Sequence, residues 1–565
     1  MRLSRPFILA LCVPCVAAPA WADGLQLLPG GTASVSRGGA IAARPEDPMT
    51  MLKNPAGMAF LSGNQLMLEF DGPVDHMCVD PYGYYGWGVY GDSRSEFGNP
   101  LALNNPTHPT IGSTYATTPL PKVCNSAELG SIPQLAATFK VGSQLAIGVG
   151  FVAPTGVGSL QYGGADGTVQ TPSGPRPTPT RYSLVSQKAE FAFDPAVSVA
   201  YRVIRQLAFG ITFQALMLKD KTTAVQNEVA GTNPATDWFA TLEAKDYFIP
   251  AMTFSVHARP TEAINLMASF RWIDSFRGSA NLTYETNTYQ RGATSGPVPY
   301  TNPPISIRNV TVPLPWELSV GARYAGRLPD QHDTGLGDPI DTELWDVELD
   351  LDYDINSRAG KDSVDVGHTV TVTTKDATGP GGSTSADVSQ FAVSGHLKDS
   401  VAVRLGGSYA IVPRVLSAQG GAFFETRGLD PAYADIDSFA FERVGLGLGA
   451  VIRLGRFDLR AGYSHIFSES LNVAPPPYQP VEAAKASDPR SGFDERVGGT
   501  FTGGTRSGGV VLRDPGAPSG SNADAVAAKT QSAAVATTAQ PNRVINAGLY
   551  TASFDVLSFG ATYHF

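Results

Sequence analysis

Val556-Leu557-Ser558-Phe559-Gly560-Ala561-Thr562-Tyr563-His564-Phe565 closes the chain. Leu557, Phe559, Ala561, Tyr563 and Phe565 fall on one face of an extended segment. Val556, Ser558, Gly560, Thr562 and His564 fall on the other. A period of two with one apolar, aromatic face and one small, mostly polar face marks a strand between two different environments. The same pattern returns upstream. Phe457, Leu459, Ala461, Tyr463 and Phe467 alternate with Asp458, Arg460, Gly462 and Ser464. Val444, Leu446, Leu448, Ala450 and Ile452 alternate with Gly445, Gly447, Gly449 and Arg453, and Val401, Val403, Leu405 and Tyr409 alternate with Arg404, Gly406 and Ser408. A mid-strand Arg or Asp is tolerable where its face meets water or a partner, as in a wet or plugged lumen, and not in a dry sandwich core.

Composition agrees. The chain is Gly-rich, with 16% charged residues and four Cys. Near-neutral mean hydropathy argues against a bundle of membrane helices, and after the N-terminal segment no run reaches about 18 apolar residues. A transmembrane barrel has ordinary hydropathy because lipid-facing and lumen-facing residues alternate. The 51 acidic residues exceed the 41 basic ones, and no basic run points to nucleic acid.

Strands are expected near 65–70, 132–141, 145–153, 193–203, 206–218, 248–258, 263–272, 313–325, 343–355, 399–411, 417–425, 440–454, 457–469 and 552–565, fourteen in all. The connections 71–131, 154–192, 219–247, 273–312, 356–398, 426–439 and 470–551 are long. Most of the others are tight, such as Gly142-Ser143-Gln144 and Gly455-Arg456, while 326–342 is longer. Tight turns at one end and extended loops at the other describe an all-β, 14-stranded antiparallel transmembrane barrel, spanning 65–565, with periplasmic turns and external loops. An even count returns both ends of the barrel to the same side.

Two segments precede it. Arg2 and Arg5, the apolar Phe7 to Ala18 and the small residues of Ala20-Trp21-Ala22 read as a signal peptide over 1–22, cleaved after Ala22. Residues 23–64 carry Gly30-Gly31, Gly38-Gly39, Pro45, Pro48 and Pro55 and lack sustained alternation. They are too apolar for a simple tail, so the lumen is the place where their backbone finds partners: an N-terminal hatch, or plug. Cys78 and Cys124 are the two cysteines beyond the signal peptide. In an oxidising compartment they are expected to pair, the alternative being two free, buried thiols.

Three pieces of the N-terminus carry a family resemblance: Gly24-Leu25-Gln26-Leu27, Ser36-Arg37-Gly38-Gly39-Ala40-Ile41-Ala42 and Lys53-Asn54-Pro55-Ala56-Gly57. In that order they resemble the hatch of the FadL family of outer-membrane transporters for long-chain fatty acids, which includes the toluene and xylene porins. The segment Ala146 to Gly156 resembles the family's third strand and its exit. Pro313-Leu314-Pro315-Trp316-Glu317 resembles the Pro-bearing approach to a mid-barrel strand, and the terminal Phe565 also fits an outer-membrane barrel.

The resemblance implies a Gram-negative outer-membrane channel that takes up hydrophobic small molecules passively. Its partners would be long-chain fatty acids or aromatic hydrocarbons, and the lipid and lipopolysaccharide of that membrane. Family members capture ligand between external loops, hold it in an apolar pocket and release it sideways by a kinked third strand. On this chain Tyr84, Tyr85 and Trp87, with Tyr82 and Tyr90, offer loop aromatics for capture, the alternative being girdle or loop packing. Leu25 and Leu27 are candidates for the pocket lining. Asn54, Pro55 and Ala56 are candidates for contact between plug and wall. Gly148, Gly150 and Pro154 are candidates for a bend in strand three, or the two glycines for small-residue packing against the plug. The loops 71–131, 356–398 and 470–551 exceed the family pattern and leave the substrate open.

No catalytic constellation emerges. The His residues are scattered, and there is no His-Glu-x-x-His, Gly-x-Ser-x-Gly or phosphate loop. No cofactor or metal is expected. Asp346, Glu348, Asp350, Asp352 and Asp354 line one face of the ninth strand, where they either bind a cation or pair with inward arginines such as Arg404.

Overall fold

A computed structural model describes residues 28, 30–82, 119–126, 129–152, 159–172, 174–181, 183–226, 238–286, 304–329, 338–359, 361–375, 383–394, 397–431, 434–436, 440–473 and 548–565. Fourteen strands form the wall. They are β1 (Gln65–Pro81), β2 (Ile132–Val141), β3 (Leu145–Val152), β4 (Ser186–Ile204), β5 (Leu207–Gln226), β6 (Trp238–Ala258) and β7 (Ile264–Ile273). The circuit continues with β8 (Trp316–Arg327), β9 (Glu343–Ile355), β10 (Ser400–Val412), β11 (Leu416–Glu425), β12 (Arg443–Leu454), β13 (Phe457–Ser468) and β14 (Gly548–His564). Each pairs antiparallel with its neighbour, and β14 returns to β1 with a continuous register from Gln65↔His564 to Pro81↔Gly548. That last ladder closes the barrel and leaves no open edge in the wall, which a backbone in hydrocarbon requires.

The alternation read from sequence becomes two surfaces. On β12, Val444, Leu446 and Leu448 are exposed while Arg443 and Val451 are buried. On β9, Val347, Leu349 and Leu351 are exposed while Asp346, Glu348, Asp350 and Asp352 are buried. A wall that turns its aliphatic side chains outward and its carboxylates inward fits lipid outside and a polar filling inside. Near the turn end, Phe457 packs on Tyr563 at 4.9 Å, and Phe139 meets Phe565 at 6.2 Å. They form part of an aromatic belt at one membrane boundary. No helix among the described residues is long and apolar enough to cross a membrane.

At one end the strands join through 142–144, 205–206, 259–263, 413–415 and 455–456. Gly142 and Gly455 turn there with φ of 67° and 64°, in open space, so it is the backbone and not packing that asks for glycine. The connection 328–342 is the exception at this end. It carries a helical turn at Pro339–Thr342, and Asp338 beside it receives hydrogen bonds from Ser62 Oγ at 2.9 Å and Gln65 Nε2 at 3.1 Å.

The loop end departs from the expected boundaries. β1 continues to Pro81 instead of stopping at 70, β5 reaches Gln226, β6 begins at Trp238 and β4 begins at Ser186. The stretches 273–312 and 356–398 are expected as loops, and their described residues are largely strand. They contain strands Phe276–Thr286, Ile305–Val312, Lys361–Lys375 and Ser383–Ser394, paired in series and joined to β6, so the wall continues beyond the lipid band. The reason is solvent. Above the lipid the outward face meets water and the inward face is apolar, so the alternation is reversed: Ile305 and Ile307 are buried while Ser306 and Arg308 are exposed. Lys219 on β5, held by Glu190 of β4 at 2.5 Å and Glu243 of β6 at 2.9 Å, shows the change of chemistry at this level.

Leu448 is 68% exposed at the middle of β12, whereas Leu454 ends that strand at the turn. In lipid vesicles, Leu448→Arg should lower unfolding stability by ~2–4 kcal/mol and Leu454→Arg by ~0–1 kcal/mol, read by denaturant titration. Equal effects would contradict the outward lipid band.

Candidate functional site

Residues 30–61 pack against the inward faces of the strands. They form helical turns α1 (Thr32–Ser36) and α2 (Thr50–Lys53) and a 3-10 turn at Pro55–Phe60. Nearly every side chain is buried. Close approach is made possible by glycine on the wall: a Cβ at Gly421 would collide with the Arg37 backbone, and one at Gly210 with the backbone of Pro55 and Ala56. The first amides of α1 have no partners in their own helix. Gly31 N donates to Asp71 Oδ2 at 3.2 Å, and Thr32 N donates to Glu69 Oε2 at 3.0 Å, both carboxylates coming from β1.

The segment's cations meet the acidic ladder of β9. Arg37 contacts Asp346 at 3.0 Å and Glu348 at 2.9 Å, Arg44 contacts Asp346 at 2.6 Å, and Lys53 contacts Asp352 at 2.7 Å. Backbone amides fill the remaining positions, with Ala43 N donating to Glu348 at 2.5 Å and Ala42 N to Asp350 at 2.9 Å. From the wall, Arg404 pairs with Asp352 at 2.6 Å and Arg323 with Asp346 at 2.7 Å. The ladder is thus an ion-pair register. The Arg404 pairing matches the second of the two readings of this face, and no group of three metal-ligating side chains occurs among the described residues. Four strands further round the wall Arg460 of β13 holds Asp47 at 2.5 Å. Burial works against the Lys53 ammonium, but Asp352 and Glu317 outweigh it and hold its pKa above the ordinary value. Burial likewise opposes the Glu46 carboxylate, and Arg44 and Arg460 bring its pKa below the ordinary value.

Asn54, Pro55 and Ala56 lie against β5 and β6. Asn54 Nδ2 donates to Ala42 O at 2.8 Å and reaches His257 Nδ1 at 2.8 Å, while its Oδ1 accepts from Gly57 N at 2.9 Å. Pro55 opens the 3-10 turn, where its missing N–H costs nothing. Ala56 N donates to Ser255 Oγ at 2.7 Å. Gly148 and Gly150 sit under the sulfur-bearing ends of Met51 and Met58. The ladders of β3 with β2 and with β4 run without a register shift, and the two glycines make room for the methionines. Leu25, Leu27, Tyr84, Tyr85, Trp87 and Pro154 lie outside the described residues, as does the segment 1–22.

Toward the loop end the inward positions change character. On β1 they run Glu69, Asp71 and Asp75, then Met77 and Val79. On β14 they run Thr562 and Ser558, then Val556, Phe554 and Tyr550. On β5 they run Thr212 and Gln214, then Leu216 and Leu218. These apolar residues join Leu28, Ile249, Phe276 and Phe441 in one buried cluster. The lumen therefore has a polar tier filled by the N-terminal segment and an apolar tier above it. At that upper level a disulfide links Cys78 of β1 to Cys124, directly opposite in register. Asn125 then donates to Asp75 O and accepts from Met77 N, each at 2.9 Å. The return of the first long loop is thereby fixed to the rim of the apolar tier.

Sequence reasoning missed Arg37, Arg44, Lys53 and Arg323 as partners of the β9 carboxylates. A signal was present: five acids on one lumen face need several cations, and Arg404 alone does not supply them. Asp346→Ala removes the shared partner of Arg37, Arg44 and Arg323 and should cost about 3–5 kcal/mol, since it leaves buried charge uncompensated. In folded protein, trypsin should then cut at Arg37 or Arg44, sites that resist it in the parent. Unchanged resistance would show that the ladder does not hold the segment.

No family model matches the sequence. No curated protein matches it either. Solved structures do match: a FadL homologue from Pseudomonas aeruginosa superposes with a TM-score of 0.58 at 14% identity, covering 96% of this chain and 100% of that one. The toluene transporter TodX of Pseudomonas putida gives 0.53 at 12% identity, covering 95% and 99%. The chain shares its fold, a closed fourteen-stranded antiparallel barrel, with these FadL-type proteins, the family that its N-terminal motifs resemble.

Proposed function

We propose that the protein is a Gram-negative outer-membrane channel for passive uptake of hydrophobic small molecules, and not an enzyme. The observation that carries this reading is the two-tier lumen. A buried apolar cluster at the loop end stands on a polar, ion-paired stopper at the turn end. Water and ions gain little from the upper tier, whereas an apolar guest gains ~0.8 kcal/mol for each methylene buried there.

In this account residues 1–22 direct export and 23–64 act as the hatch. Tyr84, Tyr85 and Trp87 capture the molecule above the lipopolysaccharide, and Leu25 and Leu27 line the floor of its site. Release is lateral. Among the described residues the β3–β4 ladder runs to Val152↔Asp194, and the exit is assigned beside that end of β3. A guest leaving there passes from one apolar medium into another, so no energy source is needed. The relatives divide the candidate substrates between long-chain fatty acids, implied by the FadL resemblance, and small aromatics, as in the toluene transporter.

Uptake of labelled toluene and of labelled oleate by a strain lacking the gene, with and without the gene restored, tests the reading. Restoration should raise the rate for at least one of the two several-fold, with no gain for a polar solute such as glucose. Equal rates for every hydrophobic probe would overturn it.

A further inference from the structure

The border between the two tiers carries a polar pair of the wall that has no hydrogen bond to the N-terminal segment among the described residues. Asp194 on β4 and Gln214 on β5 are 4% and 3% exposed. Gln214 Nε2 donates to Asp194 Oδ2 at 2.6 Å. The other oxygen of each group, Asp194 Oδ1 and Gln214 Oε1, is buried and accepts no hydrogen bond from any described residue. Two acceptors so placed side by side are unfavourable unless a donor arrives.

Their surroundings point to where that donor comes from. One step toward the turns, Thr212 Oγ1 donates to Met51 O at 2.5 Å and Ala196 packs in the cluster of Met51 and Met58, while Met49 and Leu52 of the segment pack with Val152 beside the pair. One step toward the loops, Ala192 and Leu216 belong to the upper apolar cluster. Across the ladder, Asp194 faces Val152, the last residue of β3. The pair thus lies at the bottom of the apolar tier and beside the end of β3.

We propose that Asp194 and Gln214 form the polar end of the ligand site and select hydrophobic molecules that carry an uncharged hydrogen-bond donor, such as phenols and alcohols. The inference rests on the transport reading above and narrows its substrate class. Both free atoms are acceptors, and one belongs to a carboxyl group. A hydroxyl satisfies them, a bare hydrocarbon leaves them unpaired, and a carboxylate brings oxygen against oxygen. A site built to hydrogen-bond a hydroxyl discriminates well against the analogue that lacks it.

The test compares three molecules with one skeleton, toluene, 4-methylphenol and 4-methylbenzoate, binding to the full-length protein in lipid nanodiscs at pH 7, with the isotherm of empty nanodiscs subtracted. The parent should bind 4-methylphenol about ten-fold more tightly than toluene, as one hydrogen bond to a buried acceptor would give, and 4-methylbenzoate more weakly than toluene. In Asp194→Ala combined with Gln214→Leu the phenol-to-toluene ratio should fall to near one. Asp194→Asn, which keeps an acceptor oxygen and nearly the same shape, should retain part of the preference. Retention of the folded, heat-modifiable electrophoretic mobility checks each variant. Equal affinity of the parent for phenol and toluene overturns the inference, as does a variant that weakens all three ligands alike. Toluene binding without hydroxyl preference, or binding of none of the three, overturns this inference alone, while the transport reading falls only if uptake of toluene and of oleate is also unchanged.

Discussion

The match between cations of the N-terminal segment and the carboxylates of one strand is the constraint on which the interior depends. Arg37, Arg44 and Lys53 are all buried, as are Asp346, Glu348 and Asp352 that receive them. Neither set tolerates burial alone, because an unpaired charge away from water is strongly unfavourable. Inward positions on a strand recur every second residue, so the ladder also works as a ruler. Sliding the segment along β9 by one inward position would break several pairs at once. The same strand turns Val347, Leu349 and Leu351 outward, so a single stretch of chain satisfies lipid on one side and the segment on the other.

Once the polar tier is full, the upper lumen has a different task. Its inward residues need no charge partner and are free to be aliphatic and aromatic, as Val79, Leu216, Phe441 and Tyr550 are. The tight fit below comes from absent side chains as much as from ion pairs. Gly210 and Gly421 let the backbone of the segment lie on the wall, and Gly148 and Gly150 receive the methionine ends. Glycine-rich strands that would weaken an ordinary sheet are here the matching surface for an enclosed peptide.

The fourteen wall strands were legible because lipid imposes a period of two on every one of them, and the short turns fixed where each hairpin reverses. Their upper ends were not legible. β5 runs on through Lys219-Asp220-Lys221-Thr222-Thr223, where nothing in composition separates a paired strand from a loop. The placement of residues 30–61 followed from a segment too apolar for solvent and too broken by Gly and Pro for the wall. Which side chains would meet was another matter. Asp346 and Arg44 are 302 residues apart, and only closure of the barrel brings them to 2.6 Å. Arg404 was foreseeable because its strand neighbours β9. Asp194 and Gln214 stood on strands read correctly, yet their significance lies in what each oxygen fails to meet, which no pattern of residue types reveals.

The account predicts a site for an apolar guest above an enclosed N-terminal segment. The most direct measurement is the anomalous bromine signal from crystals soaked in 4-bromotoluene. A peak inside the barrel among Leu216, Phe554 and Tyr550, over a segment still paired with β9, is the result expected. Bromine confined to the lipid-facing surface, or a lumen open from end to end, would contradict it.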